Sequence, residues 1–335
     1  MVNFKQIIQD LSGIAYHHLQ INSFGFGDLS QLTMDNETIV SPVYTKMYVV
    51  PGQVLLNQNV LQYNLSIIIC DRIEDDLSNE ADVISDCMEI AKDIFTILYQ
   101  SYTAQYGDFS IDYEPEFGPN CIPFLERFDT VLGGVTLNLR ISQPFDYNSC
   151  VLPFSGLSLP TSVNVVNYKQ VVEDFKQIAN THLQVNSFGF GSESQLNMDN
   201  QTMVTPLFPR LYVVPRETTL ARNELLYNFD IIISDVLEDD LSNQRDVMSD
   251  TLEICKDVFT VLYLSEYESI WGANVTPFFD EYDHVLTGWR MSLQITQPFD
   301  YNRCVLPEKP FVTEGKKWYE LAELWNEISK QWSKV

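Results

Sequence analysis

Ser23-Phe24-Gly25-Phe26-Gly27 returns 164 positions later as Ser187-Phe188-Gly189-Phe190-Gly191, and that return decides how the chain is read. Working outward, Met34-Asp35-Asn36 comes back as Met198-Asp199-Asn200, and Tyr48-Val49-Val50-Pro51 as Tyr212-Val213-Val214-Pro215. Glu74-Asp75-Asp76-Leu77-Ser78-Asn79 comes back as Glu238-Asp239-Asp240-Leu241-Ser242-Asn243, still with the same offset. Further on, Gln143-Pro144-Phe145-Asp146-Tyr147-Asn148 matches Gln297-Pro298-Phe299-Asp300-Tyr301-Asn302 with an offset of 154. The change in offset places about ten extra residues in the first copy, between Ser101 and Cys121, with Thr103–Asn120 as the insertion. A constant offset held across so many motifs means tandem duplication of one structural unit.

Each copy opens on an amphipathic helix. Phe4, Ile7, Ile8, Leu11, Ile14 and Ala15 recur at helical spacing, as do Tyr168, Val171, Val172, Phe175, Ile178 and Ala179. The S-F-G-F-G segment then breaks the helix, and its expected form is a tight turn packing two Phe rings. Met47–Val50 and Asn64–Cys70 carry the β-branched and aromatic residues of strands. A Ser-Asn pair (Ser78-Asn79, Ser242-Asn243) reads as the cap of a second helix, with Asp82 or Asp246 in its first turn. The stripe of that helix is Val83, Cys87, Ile90, Ile94 and Leu98. A final strand pair alternates Val135, Leu137, Leu139 and Ile141, or Trp289, Met291, Leu293 and Ile295, against polar neighbours. The order α, β, β, α, β, β predicts an α+β fold in which an antiparallel or mixed sheet is packed with two helices per copy. The expected divisions are repeat domain 1 at 1–155, repeat domain 2 at 164–307, a Pro/Gly/Ser-rich linker at Pro153–Val163, and a C-terminal extension at 308–335.

Bulk properties narrow the function. The chain has 335 residues, 45% of them hydrophobic, which is enough for two cores of ordinary size. Its opening residues do not resemble a secretory signal, and its most apolar stretches fall far short of the roughly 20 residues of a membrane helix. A net charge of −26 argues against gripping a nucleic-acid backbone, which calls for basic neutralisation of phosphates. An acidic surface of that kind would instead let DNA pass without sticking. Cys70, Cys87, Cys121, Cys150, Cys255 and Cys304 form no C-x-x-C pair, and most sit in apolar runs, as expected of free thiols in a reducing compartment.

Candidate chemistry is sparse. The E-D-D-L-S-N loops hold clustered carboxylates of the kind that bind Mg²⁺ or Ca²⁺, but they precede helix starts, where acids serve as caps. S-F-G-F-G lacks the phosphate-loop pattern and follows a helix rather than a strand. Of the four histidines, only His18 and His182 correspond between copies, each near a helix end. No catalytic constellation, metal set or cofactor site emerges, and the expectation is a protein that is not an enzyme. The least favoured alternative is a metal-dependent hydrolase using Asp75, Asp76, Asp239 and Asp240.

The tail differs from both copies. Residues 308–335 balance five acids with five lysines, so the whole excess of acid belongs to the repeats. Trp318, Leu321, Trp325, Ile328 and Trp332 fall at 3-4-3-4 spacing and form a narrow apolar seam on one face of an amphipathic helix. Such a helix either folds back on its own domain or docks in the groove of a partner. These five residues are the candidate partner-binding set.

The helix–hairpin–helix–hairpin order resembles bacteriophage tail-terminator and neck proteins, which build head–tail joining rings between the portal and the tail. S-F-G-F-G with Q-L-x-M-D-N, then Y-N-x-x-I-I-I-x-D, E-D-D-L-S-N and P-F-D-Y-N-x-C-V-L-P, is similar to virion structural proteins of crAss-like phages in particular. The resemblance covers residues 3–153 and 167–307. It implies a non-enzymatic virion protein, made in the host bacterial cytoplasm and assembled as a homo-oligomeric ring of 6 or 12 copies. Its expected partners are adjacent portal, ring or tail proteins, with no sequence-specific nucleic acid and no membrane. The alternative of another class is a cytosolic adaptor that engages a partner through the Trp-seamed helix.

Overall fold

The computed structural model describes residues 2–34, 43–57, 60–74, 76–104, 110–127, 131–145, 152–157, 168–193, 196, 207–221, 224–238, 240–265, 272–281 and 286–298. The first copy runs α1 (Phe4–His17), β1 (Ser23–Phe26), α2 (Leu29–Met34), β2 (Lys46–Asn57), β3 (Val60–Arg72), α3 (Glu80–Ala104), β4 (Glu114–Pro115), β5 (Asn120–Arg127) and β6 (Val131–Pro144). The second runs α4 (Tyr168–Thr181), β7 (Ser187–Phe190), β8 (Arg210–Pro215), β9 (Thr219–Ala221), β10 (Glu224–Val236), α5 (Gln244–Leu264), β11 (Gly272–Glu281) and β12 (Leu286–Pro298). The class is α+β with a mixed sheet, as the order of elements predicts.

Helix α1 starts where the Asn3 side chain accepts the Gln6 N–H at 2.8 Å, and its whole predicted stripe is buried. The α3 stripe is buried likewise. In β3, the two-residue period sends Leu61, Tyr63, Leu65, Ile67 and Ile69 into the main core, while Ile68 and Cys70 join Tyr48 and Leu32 in a small core on the other face. Both strand sets predicted for β6 and β12 are buried.

Two local expectations need correction. S-F-G-F-G is not a turn: Ser23–Phe26 and Ser187–Phe190 are strands, paired parallel to β2 and β8. The glycine spacing serves close approach, because a Cβ at Gly25 or Gly189 would collide with the ring of Tyr48 or Tyr212. The Ser-Asn signal is not a side-chain cap either. Asn79 Oδ1 accepts the Glu74 N–H at 2.9 Å and its amide donates to the Arg72 carbonyl, and Asn243 repeats both bonds with Glu238 and Val236. The side chain that would cap the helix ties the preceding loop shut instead.

Among the described residues twelve strands form one sheet, and its path runs β4-β6-β3-β2-β11-β12-β10-β8-β7. The link between β2 and β11 crosses from one copy to the other. The linker therefore separates the sequence repeats, 1–155 from 164–307, but Met1–Pro298 packs as a single unit around one main core.

Candidate functional site

Both acidic loops are closed upon themselves. Asp76 Oδ1 accepts the Ser78 N–H at 3.0 Å, Glu74 accepts the Ser78 hydroxyl at 2.9 Å, and Leu77 takes the left-handed conformation at φ 61°. Asp240, Glu238, Ser242 and Leu241 reproduce the arrangement. Hydrogen bonds from Ser78 hold the Asp76 carboxyl below its ordinary range, and those from Ser242 do the same for Asp240. The carboxylates are thus occupied in fixing backbone at the entry to α3 and α5. Among the described residues, no three His, Cys, Asp or Glu side chains gather as a metal site. Asp75 and Asp239 lie outside the described residues.

The paired histidines are fasteners. His18 Nδ1 accepts the Gln20 N–H at 3.3 Å while Nε2 faces Asp93 at 3.4 Å, which ties the end of α1 to α3. His182 repeats this with Gln184 at 3.1 Å and Asp257 at 3.4 Å, tying α4 to α5. In copy two the arrangement is covered. The Phe154 ring packs edge-on to His182 at 4.9 Å, and the flanking backbone bonds Leu183 to Pro153 and Ser155 to Thr181 at 2.9 Å. In copy one the same place is an open recess of about 960 Å³ lined by Gly13, Ile14, His18, Asp93, Thr96 and Ile97.

Of all the surfaces described, the joint between the copies is the most elaborately built. Gly272, Ala273, Asn274 and Val275 of β11 pair antiparallel with Asn57, Leu56, Leu55 and Val54 of β2. Val54, Leu56, Ala273 and Val275 are all buried there. Above the sheet, α1 lies against α5: the Lys5 N–H donates to Ser249 Oγ at 3.2 Å, and Lys5 Nζ meets Asp246 at 2.5 Å. Phe4 packs edge-on to the fully buried Trp289 at 5.6 Å, and Arg245 sits over the Phe24 ring at 5.2 Å. Helix α5 is consequently buried nearly all round, at Met248, Ser249 and Leu252 as well as along its inward stripe.

The joint is heterologous: it brings the β2 side of one copy to the β11 side of the other. Each surface therefore has a counterpart at an outer edge of the sheet. The counterpart of β11 is β5, which among the described residues pairs only with β6. The counterpart of the β2 half-strand is β9, which pairs only with β10. Where α5 is covered, α3 presents an open groove of about 620 Å³ lined by Leu77, Ala81, Ile84 and Met88.

Sequence patterns alone did not identify these joint residues. A signal was present in the differences between the copies: Trp289 replaces Val135 and Leu252 replaces Met88, the first larger and the second more apolar on the joined side. Trp318, Leu321, Trp325, Ile328 and Trp332, the residues predicted to bind a partner, lie outside the described residues. Cys70, Cys87 and Cys255 are buried free thiols and Cys121 is a half-buried one, while Cys150 and Cys304 lie outside the described residues. No described helix is long and apolar enough to cross a membrane.

No family model, curated protein or solved structure matches the chain.

Proposed function

We propose that this chain is the structural subunit of a ring in the neck or tail of a bacteriophage virion, a collar between portal and tail. The heterologous joint between its two copies carries the reading. A contact of that type, applied again between chains, generates a ring when the rotation closes. The chain has the parts for it, since the two outer edges of its sheet are versions of the two faces already joined in its middle. The motifs that resemble phage tail-terminator and neck proteins supply the location. The net charge of −26 suits a subunit that surrounds passing DNA without holding it.

The test is the native mass of the purified chain across a range of concentrations, together with images of the particles. Six chains of 38.6 kDa give a closed ring of about 232 kDa, and twelve give about 463 kDa. One such mass with a central opening is the expected result. A monomer at every concentration, including in the presence of portal and tail assemblies, would overturn the ring and favour the adaptor.

A further inference from the structure

We infer that one chain binds the next through the same joint that unites its own two copies, with β9 and α4 of one chain seated on β5 and α3 of its neighbour. The inference deepens the ring reading and rests on it, by naming the residues of the contact.

The strand register follows from the repeat offsets. Val54 corresponds to Thr218 and Leu55 to Thr219, while Asn274 corresponds to Asn120 and Val275 to Cys121, the matching registers of β5 on β6 and β11 on β12 placing the end of the insertion before Pro119. The internal pairs Val275–Val54 and Asn274–Leu55 thus become Cys121–Thr218 and Asn120–Thr219 between chains. Pro119 stands where Ala273 does and has no N–H to give, so the strand contact starts at Asn120.

The helices agree with the strands. Lys5, Asp246 and Ser249 correspond to Lys169, Asp82 and Ser85, all three exposed. Phe4 and Ile8, buried at the internal joint, correspond to Tyr168 and Val172, which are only half-buried on α4. The groove over Ala81, Ile84 and Met88 is what α5 would show if α1 were lifted from it. The side chain of Lys256 is 4% exposed beside the joint and that of its counterpart Lys92 is 57% exposed. Ile122, on the outer strand β5, is likewise 54% exposed.

The two joints differ in strength. Val54, Val275, Trp289 and Phe4 give way to Thr218, Cys121, Val135 and Tyr168. Groups that are smaller or more polar make the contact between chains the weaker one, as suits subunits that must be soluble before they assemble.

Thr218→Cys tests the register, because opposed residues of an antiparallel pair lie within disulfide reach. Under mild oxidation the full-length variant should form covalent dimers, trimers and higher species, joined through Cys121 and position 218 in peptide mapping. Adding Cys121→Ser should abolish them. Native rings without that cross-link would overturn this interface and leave the ring reading standing. Cross-linked open polymers with no closed species would uphold the interface and overturn the ring. A monomer that never cross-links, with portal and tail assemblies present as well as without them, would overturn both.

Discussion

Glu116 lies in the insertion that makes the copies unequal, and it fastens that insertion to the sheet. Its carboxylate accepts hydrogen bonds from Gln62 and from the Ser142 hydroxyl at 2.5 Å, and Arg140 Nη1 lies 3.3 Å away. Partial burial acts to raise its pKa, but the hydrogen bonds from Ser142 and Gln62, with Arg140, outweigh it and hold the carboxyl below the ordinary glutamate range. A carboxyl depressed in the folded state contributes stability above its unfolded pKa, and that contribution is lost as pH falls through the folded value. Glu116→Gln should therefore lower the melting temperature at pH 7, with the deficit shrinking progressively below about pH 4.5. Thermal unfolding of both proteins from pH 7 to pH 3 checks this, and a deficit independent of pH would show that the charge plays no part. The residue was invisible as a fastener in the sequence, because its partners are 54 and 26 positions away and only the strand pairing brings them together.

Helices α3 and α5 carry the same stripe but lead different lives. Sequence periodicity found the inward face of α3, since that face answers to a local 3.6-residue period. It could not find the second buried face of α5, because what covers that face is α1 of the other copy. The cap and turn readings failed for a related reason: Asn79 and the S-F-G-F-G glycines are selected by neighbours in space, the Glu74 N–H and the Tyr48 ring. Matched substitutions expose the difference between the helices. Leu252→Arg places a charge in a fully buried site and should cost more than about 4 kcal/mol, enough to unfold much of the protein. Met88→Arg, at the equivalent half-buried position, should leave the melting temperature within a few degrees while lowering the native mass to that of one chain. Unfolding by Met88→Arg to the same extent would mean that the α3 groove belongs to the monomer core and not to an interface.

For the whole molecule, the repeat was legible from its offsets, and so was the α+β class. The single sheet was not. Strand patterns specify which face of a strand is buried, not which strand lies beside it. Two separate domains and one continuous sheet therefore predict the same alternation in β2 and β11. The choice matters because a joint made only of linker would come apart when the linker is cut, whereas a packed one would hold. Gly156 offers the place to test it: it is exposed, in the left-handed conformation at φ 72°, and beyond the Ser155 bond that anchors the segment to Thr181. A protease site inserted after Gly156 in the intact chain should be cut readily in the folded protein. The two pieces should then stay together through gel filtration in buffer. They should separate only in denaturant, because the strand pairing, the Phe4–Trp289 contact and the Lys5 bonds all survive the cut. Separation in buffer alone would mean that the linker's covalent connection is what keeps the joint closed. The contact between chains, built from smaller or more polar counterparts of the same residues, would then be too weak to close a ring without a template.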